Sequence, residues 1–257
     1  MGDRRLRSLI FASLAAALAL AATVAVARLT GIDQQLSELF FNQASGRWLI
    51  DHDTSGLRLW FYDGPKALII FFGVFLLCVM LRPSLVPATW MTRGEAAFVF
   101  LCLAIVPLVI GVIRNNSNVQ CPFTLQQFGG AQSNELAHVS LTGFIEARRP
   151  GGCWPSGHAS GGFALLCLVF LERRRSTRRL LGLLGVVAGT AMGAYQVARG
   201  AHFASHVLVT GLISVLVCGG IAAVFQCITS QKLRFASIDN CAPRMSGSPS
   251  SGKARSM

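Results

Sequence analysis

Six blocks of this chain contain no Asp, Glu, Lys or Arg: Leu9–Ala27, Ala67–Met80, Ala96–Ile113, Gly157–Leu171, Leu180–Ala198 and Phe203–Phe225. In a bilayer core every backbone N–H and C=O must be satisfied within the structure, and about 20 apolar residues in a helix span the hydrocarbon. The blocks therefore predict an all-α, polytopic membrane protein with six transmembrane helices. The second and fourth are short, so they must tilt or extend into their flanks. Residues 1–230 read as one domain. Residues 231–257 end in the Ser/Gly/Lys-rich run SGSPSSGKARSM and read as a disordered tail.

The formal net charge of +12 raises the question of a nucleic-acid partner, and its distribution answers it. Arg4, Arg5 and Arg7 precede the first block, ERRRSTRR (residues 172–179) separates the fourth from the fifth, and Lys232, Arg234, Arg244, Lys253 and Arg255 follow the sixth. Six spans put all three places on one side, which the positive-inside rule makes cytoplasmic. Both termini are then cytoplasmic, the tail with them, and the basic surplus is a topology signal, not a DNA or RNA surface. The start also resembles a secretory signal, with Ala25-Val26-Ala27 as a cleavage site. Its apolar run is long enough to span, which favours an uncleaved helix. The segment Gly31–Leu59, with Trp48, Trp60 and Phe61 in or beside it, suggests a helix lying at the outer interface.

Ionisable groups at membrane depth are costly and mark function. Arg114 ends the third block, Pro155-Ser156-Gly157-His158 opens the fourth, Tyr195, Gln196 and Arg199 close the fifth, and His202 and His206 open the sixth. The topology rests on apolar blocks and arginines alone, yet it puts all four groups on the outer face. A helix start with a serine and a glycine offers unpaired N–H groups to an anion. Arg114 and Arg199 add fork-shaped positive charge. His158 and His202 titrate near neutrality, so one can serve as acid and the other as nucleophile or base. Together they make equipment for phosphoryl transfer. Taken singly, each has a plainer role: a serine cap, an interfacial histidine, a snorkelling arginine. His206 lies one helical turn beyond His202 and is a candidate to accept a hydrogen bond from it and fix its tautomer, or else a packing residue.

No carboxylate cluster, Walker-type loop, CxxC or His-rich spacing suggests a metal or another cofactor, and none is expected. Cys78, Cys102, Cys167, Cys218 and Cys227 sit in or beside apolar blocks as packing residues. Cys121 and Cys153 fall in the long outer loop, where a disulfide is permitted if that loop faces a periplasm.

CWPSGHASGGFALL with RGAHFASHVL resembles the type 2 phosphatidic acid phosphatase superfamily over roughly residues 65–225. That family's pattern is a lysine, six residues and Arg-Pro; then Pro-Ser-Gly-His; then Ser-Arg, five residues, a histidine, three residues and an aspartate. The resemblance implies a six-helix, metal-independent phosphatase of membrane lipids that works through a phosphohistidine. It implies His202 as nucleophile, His158 as the acid for the leaving oxygen, and Ser156 and Gly157 as phosphate contacts, with Arg114 at the lysine position. The departures are Cys121 and Gln196 where arginines are expected, and His206 at the aspartate. Arg199 would supply one lost charge. Arg148 and Arg149, in the loop before Pro155, are further candidates for phosphate contact or plain solvated charge. Such variants resemble a bacterial branch related to lipid A phosphatases and phosphatidylglycerophosphate phosphatases.

The expectation is thus a multi-pass enzyme of a bacterial inner membrane, its site facing the periplasm. It would hydrolyse a lipid phosphate monoester or pyrophosphate, lipid A or a related lipid first, with no obligate protein partner. The alternatives are a phosphotransferase between lipids and a non-catalytic binding or transport protein of the same fold.

Overall fold

The computed structural model describes residues 2–50, 55–137, 152–171 and 174–241. It is a helical bundle. Helix α1 (Gly2–Thr30) is followed by the short α2 (Ile32–Glu38), a two-stranded hairpin of β1 (Phe41–Asn42) and β2 (Arg47–Trp48), and a helical turn Ser55–Arg58. A π-helical turn, Leu59–Asp63, leads into α3 (Gly64–Leu81). Then come α4 (Arg93–Asn115), α5 (Gly157–Ala164), α6 (Arg175–Ala198) and α7 (Ala204–Cys241).

Among the described residues, five helices are long and apolar enough to cross a membrane: Leu9–Thr30, Gly56–Leu81, Arg93–Asn115, Arg175–Ala198 and Ala204–Ile228. The block at Gly157–Leu171 differs. There α5 passes into the 3-10 helix Leu165–Phe170, whose larger rise per residue brings the combined length to about 24 Å against a hydrocarbon core of about 30 Å. The second block lengthens instead through its flank, where Pro65 sits in the first turn of α3, a position that needs no N–H. Helix α4 starts on a capping box, Thr92 accepting from the Glu95 N–H and Glu95 accepting from the Thr92 N–H.

The core lies between α3, α4, the α5 segment and α7: Leu76, Val79, Val99, Cys102, Val106, Ala164, Cys167 and Cys218 are buried there. The short segment packs on α6 backbone to backbone. A Cβ at Gly162 would stand 2.5 Å from the Gly189 nitrogen, and one at Gly185 would stand 2.8 Å from the Leu166 nitrogen. Gly185 and Gly189, four residues apart, form the small-residue stripe that lets membrane helices approach closely.

Two expectations change. Gly31–Leu59 is not one interfacial helix: α2 has seven residues, and the chain then turns into the hairpin. The reason is local, since Asn42 Oδ1 accepts from the Ala44 and Ser45 N–H groups and Gly46 takes φ +63°. Helix α7 also runs on to Cys241, past the block ending at Phe225 and into the segment assigned to the tail. Residues 242–257 lie outside the described residues.

Candidate active site

The first element of the site is the start of α5. Ser156 is its N-cap residue, but its hydroxyl makes no capping bond. Ser156 Oγ is buried with no hydrogen-bond partner among the described residues. The backbone of Ser156 ties α5 to α7 instead: its N–H donates to the His206 carbonyl (3.4 Å), and its carbonyl accepts from Thr210 Oγ (3.1 Å). The serine hydroxyl and the first-turn N–H groups are thereby left for another acceptor or donor. A Cβ at Gly157 would stand 3.1 Å from Arg114 Nη1, so the missing side chain admits the guanidinium to the helix N-terminus. Arg114, in the last turn of α4, also donates from Nε to the Gly152 carbonyl.

The second element is the turn between α6 and α7. Gly200 adopts φ +70°, the left-handed conformation open to a residue without Cβ. The Gln196 carbonyl accepts from the N–H groups of Ala201 (2.9 Å) and His202 (3.3 Å), and the Gly200 carbonyl accepts from the Phe123 N–H (3.0 Å). Trp48 covers Gly200 so closely that a Cβ there would strike the indole. Phe203 is fully buried among Phe41, Leu125 and Phe128. The turn carrying His202 is thus held from both sides.

His202 is buried and its Nδ1 lies 2.8 Å from the Cys153 carbonyl oxygen. A carbonyl only accepts, so Nδ1 carries the hydrogen and the lone pair is on Nε2. The carbonyl of Cys153 thus holds the N–H for which the sequence offers His206 as acceptor. His206 is buried beside it, its ring meeting His202 edge to face at 5.9 Å and Phe203 at 5.2 Å. Burial, then the charges of His206, His158 and Arg114, hold the His202 imidazole well below its usual pKa range; the Cys153 hydrogen bond opposes this only in part. His202 is therefore neutral at neutral pH.

His158 faces His202 at 6.2 Å between ring centroids. Its Nδ1, like Tyr195 Oη and Gln196 Nε2, is buried without a hydrogen-bond partner among the described residues. Native interiors pair such atoms, so their grouping here makes this a candidate site for a polar ligand. Arg199 stacks over Tyr195, its Cζ 5.5 Å from the ring centre. Arg114 and Arg199 both act electrostatically on His158. The structure so brings together Arg114, Ser156, Gly157, His158, Arg199, His202 and His206. Arg148 and Arg149 lie outside the described residues.

Two participants carry no signal in their own sequence context. Tyr62, in the π-helical turn before α3, packs its ring 4.3 Å from His158, and Lys66 adds a third cation acting on that imidazole. A π-helical turn often marks a functional site. The disulfide that the sequence permits between Cys121 and Cys153 is formed, with the two Cα atoms 5.2 Å apart. The Cys153 sulfur and nitrogens of His202 and His206 lie within 4.8 Å of one another, a metal-like grouping. The disulfide removes the thiolate such a site would use, leaving two imidazoles.

Half-buried cations around a helix start, with a neutral imidazole opposite a second one, form a candidate anion-binding site at one end of the helical bundle. The PAP2 superfamily profile matches residues 95–229, and the chain belongs to that superfamily, whose members are phosphatases. It is 25% identical over 186 residues to the lipid A 4'-phosphatase of Francisella tularensis subsp. novicida (strain U112), covering 70% of this chain and 80% of that protein. No solved structure matches the chain.

Proposed function

We propose that this protein is a lipid phosphatase of a bacterial inner membrane, with six spans, cytoplasmic termini and its site on the periplasmic face. The substrate is a lipid phosphate monoester or pyrophosphate, with lipid A or a related phosphorylated lipid first. The name of the Francisella relative supports that choice. The observation that carries the reading is the His202 geometry, with Nδ1 held at 2.8 Å by a carbonyl and His158 across a 6.2 Å gap.

In this mechanism His202 Nε2 attacks phosphorus and the bond to the lipid oxygen breaks. His158 gives that oxygen its proton. Water then attacks the phosphohistidine, returns a proton to His158 and releases phosphate, leaving His202 neutral again. Ser156, the Gly157 N–H, Arg114 and Arg199 hold the non-bridging oxygens as charge builds on them. The lipid chains stay in the bilayer throughout.

The test is phosphate release by the purified protein from a panel of lipid A, phosphatidylglycerophosphate, undecaprenyl pyrophosphate and phosphatidate. The expected result is release from at least one, lost in His202→Ala. Phosphate trapped on the wild type should be in an acid-labile linkage, which separates a phosphohistidine from a serine ester. Undiminished release by His202→Ala overturns the mechanism. A product carrying the phosphoryl group on a second lipid identifies a transferase instead.

A further inference from the structure

Residues 152 and 153 supply two adjacent carbonyls to two different parts of the site. The Gly152 carbonyl accepts from Arg114 Nε, and the Cys153 carbonyl accepts from His202 Nδ1. One dipeptide therefore orients both the cation at the α5 N-terminus and the imidazole opposite it. Two backbone bonds hold the dipeptide itself, from the Gly152 N–H to the Ser117 carbonyl (3.3 Å) and from the Cys153 N–H to the Val119 carbonyl (3.2 Å). Both are at the long end for such bonds. The covalent tie is the disulfide to Cys121, which bridges a sequence separation of 32. Cys121 is itself anchored, since the following Pro122 is buried and the Phe123 N–H donates to the Gly200 carbonyl in the turn that carries His202. The disulfide sulfur of Cys153 lies 3.5 Å from His202 Nδ1.

We infer that the Cys121–Cys153 disulfide is a positioning element of the active site. It presses the Cys153 carbonyl onto His202 and so fixes the tautomer that presents Nε2 to phosphorus. The inference rests on the proposed role of His202, but its structural half does not. The simplest competing role is that of a staple, which constrains the unfolded chain and touches nothing in the chemistry. The two differ in what reduction of the folded protein does. A staple once cut leaves the tautomer and kcat where they were. A positioning element, once cut, releases the carbonyl, and with no acceptor held at Nδ1 the proton exchanges between the two nitrogens.

The experiment uses the whole protein in lipid nanodiscs, labelled with 15N-histidine, before and after a water-soluble phosphine. The phosphine takes one oxygen from water as the disulfide becomes two thiols. Among the described residues, the free cysteines Cys78, Cys102, Cys167, Cys218 and Cys227 hold no bond for it to cut. The His202 signal is assigned by its loss in His202→Ala. The oxidised protein is expected to show His202 as a single Nδ1–H tautomer, and the reduced protein a mixture of both. In parallel, kcat should fall roughly 10- to 100-fold, the scale of a misplaced catalytic group, with KM little changed. Cys121→Ala, Cys153→Ala and the double variant should share one loss, because all three break the same bond and the Cys153 backbone carbonyl remains. Reoxidation should restore kcat in the reduced wild type. An unchanged tautomer on reduction overturns the inference, whatever happens to thermal stability. If the wild type releases no phosphate, or His202→Ala releases as much, the proposed function falls while the tautomer measurement still decides this point.

Discussion

Replacing Arg114 with lysine separates charge from geometry at the phosphate end of the site. Arg114 does two things at once: Nε donates to the Gly152 carbonyl, and Nη1 stands at the α5 N-terminus, 3.1 Å from where a Gly157 Cβ would be. A lysine ammonium is a single point on a flexible stem and cannot occupy both places. Arg114→Lys would keep the positive charge and lose one charge-assisted hydrogen bond, worth about 1.5–3 kcal/mol. If that bond holds the cation on the transition state, kcat/KM should fall roughly 10- to 150-fold, at about 1.36 kcal/mol per tenfold. Arg114→Ala removes the charge as well and should fall further. The assay is initial-rate phosphate release over a range of substrate in mixed micelles, with thermal unfolding followed to confirm that each variant is folded. If Arg114→Lys stays within about threefold of wild type while Arg114→Ala is severely impaired, only charge matters there and the fork geometry has no catalytic role. If both are near wild type, the phosphate does not bind at this helix start.

Three further outcomes follow from other contacts. Because His202 is held below the usual imidazole value of 6.5, it gains a proton only at lower pH; the acid limb of kcat/KM assigned to it should lie below that value, and a limb at or above it would refute a buried neutral nucleophile. The linked stability has a definite sign: the unfolded chain binds the proton that the folded site refuses, so stability falls as pH drops below 6.5. Gly162→Ala places a methyl 2.5 Å from the Gly189 nitrogen, and should cost about 1–3 kcal/mol by overpacking, read as a lower unfolding temperature, while Gly73→Ala, with nothing within 4 Å, should not. Asp33, buried on α2, accepts from the Ser205 N–H at 3.0 Å and from its hydroxyl, and so caps α7 from across the fold; Asp33→Ala should cost about 0.5–2 kcal/mol as a lost cap, again read as unfolding temperature, and unchanged stability would remove Asp33 from that role.

Much of the architecture was legible because hydropathy is a local property. An uncharged run of sufficient length has few alternatives in a bilayer, so α1, α3, α4, α6 and α7 fall on blocks visible in the sequence. Ser156-Gly157-His158 at a helix start, and His202 four residues before His206, were likewise visible because each group is a short run of neighbouring residues. The shortness of the α5 segment was visible too, but not the 3-10 winding that accommodates it. The interface helix expected over Gly31–Leu59 failed because short-range turn chemistry at Asn42 and Gly46 outweighed a weak amphipathic pattern.

What tertiary structure alone decided are the contacts between residues far apart in the chain. Tyr62 meets His158, Asp33 meets Ser205, and the Cys153 carbonyl meets His202. No periodicity records such pairs, because each depends on how whole helices are placed against one another. The tautomer of His202 illustrates the division. The residue type and its position were in the sequence, whereas the acceptor that sets its chemistry is a main-chain carbonyl, a group every residue carries and only the fold can aim.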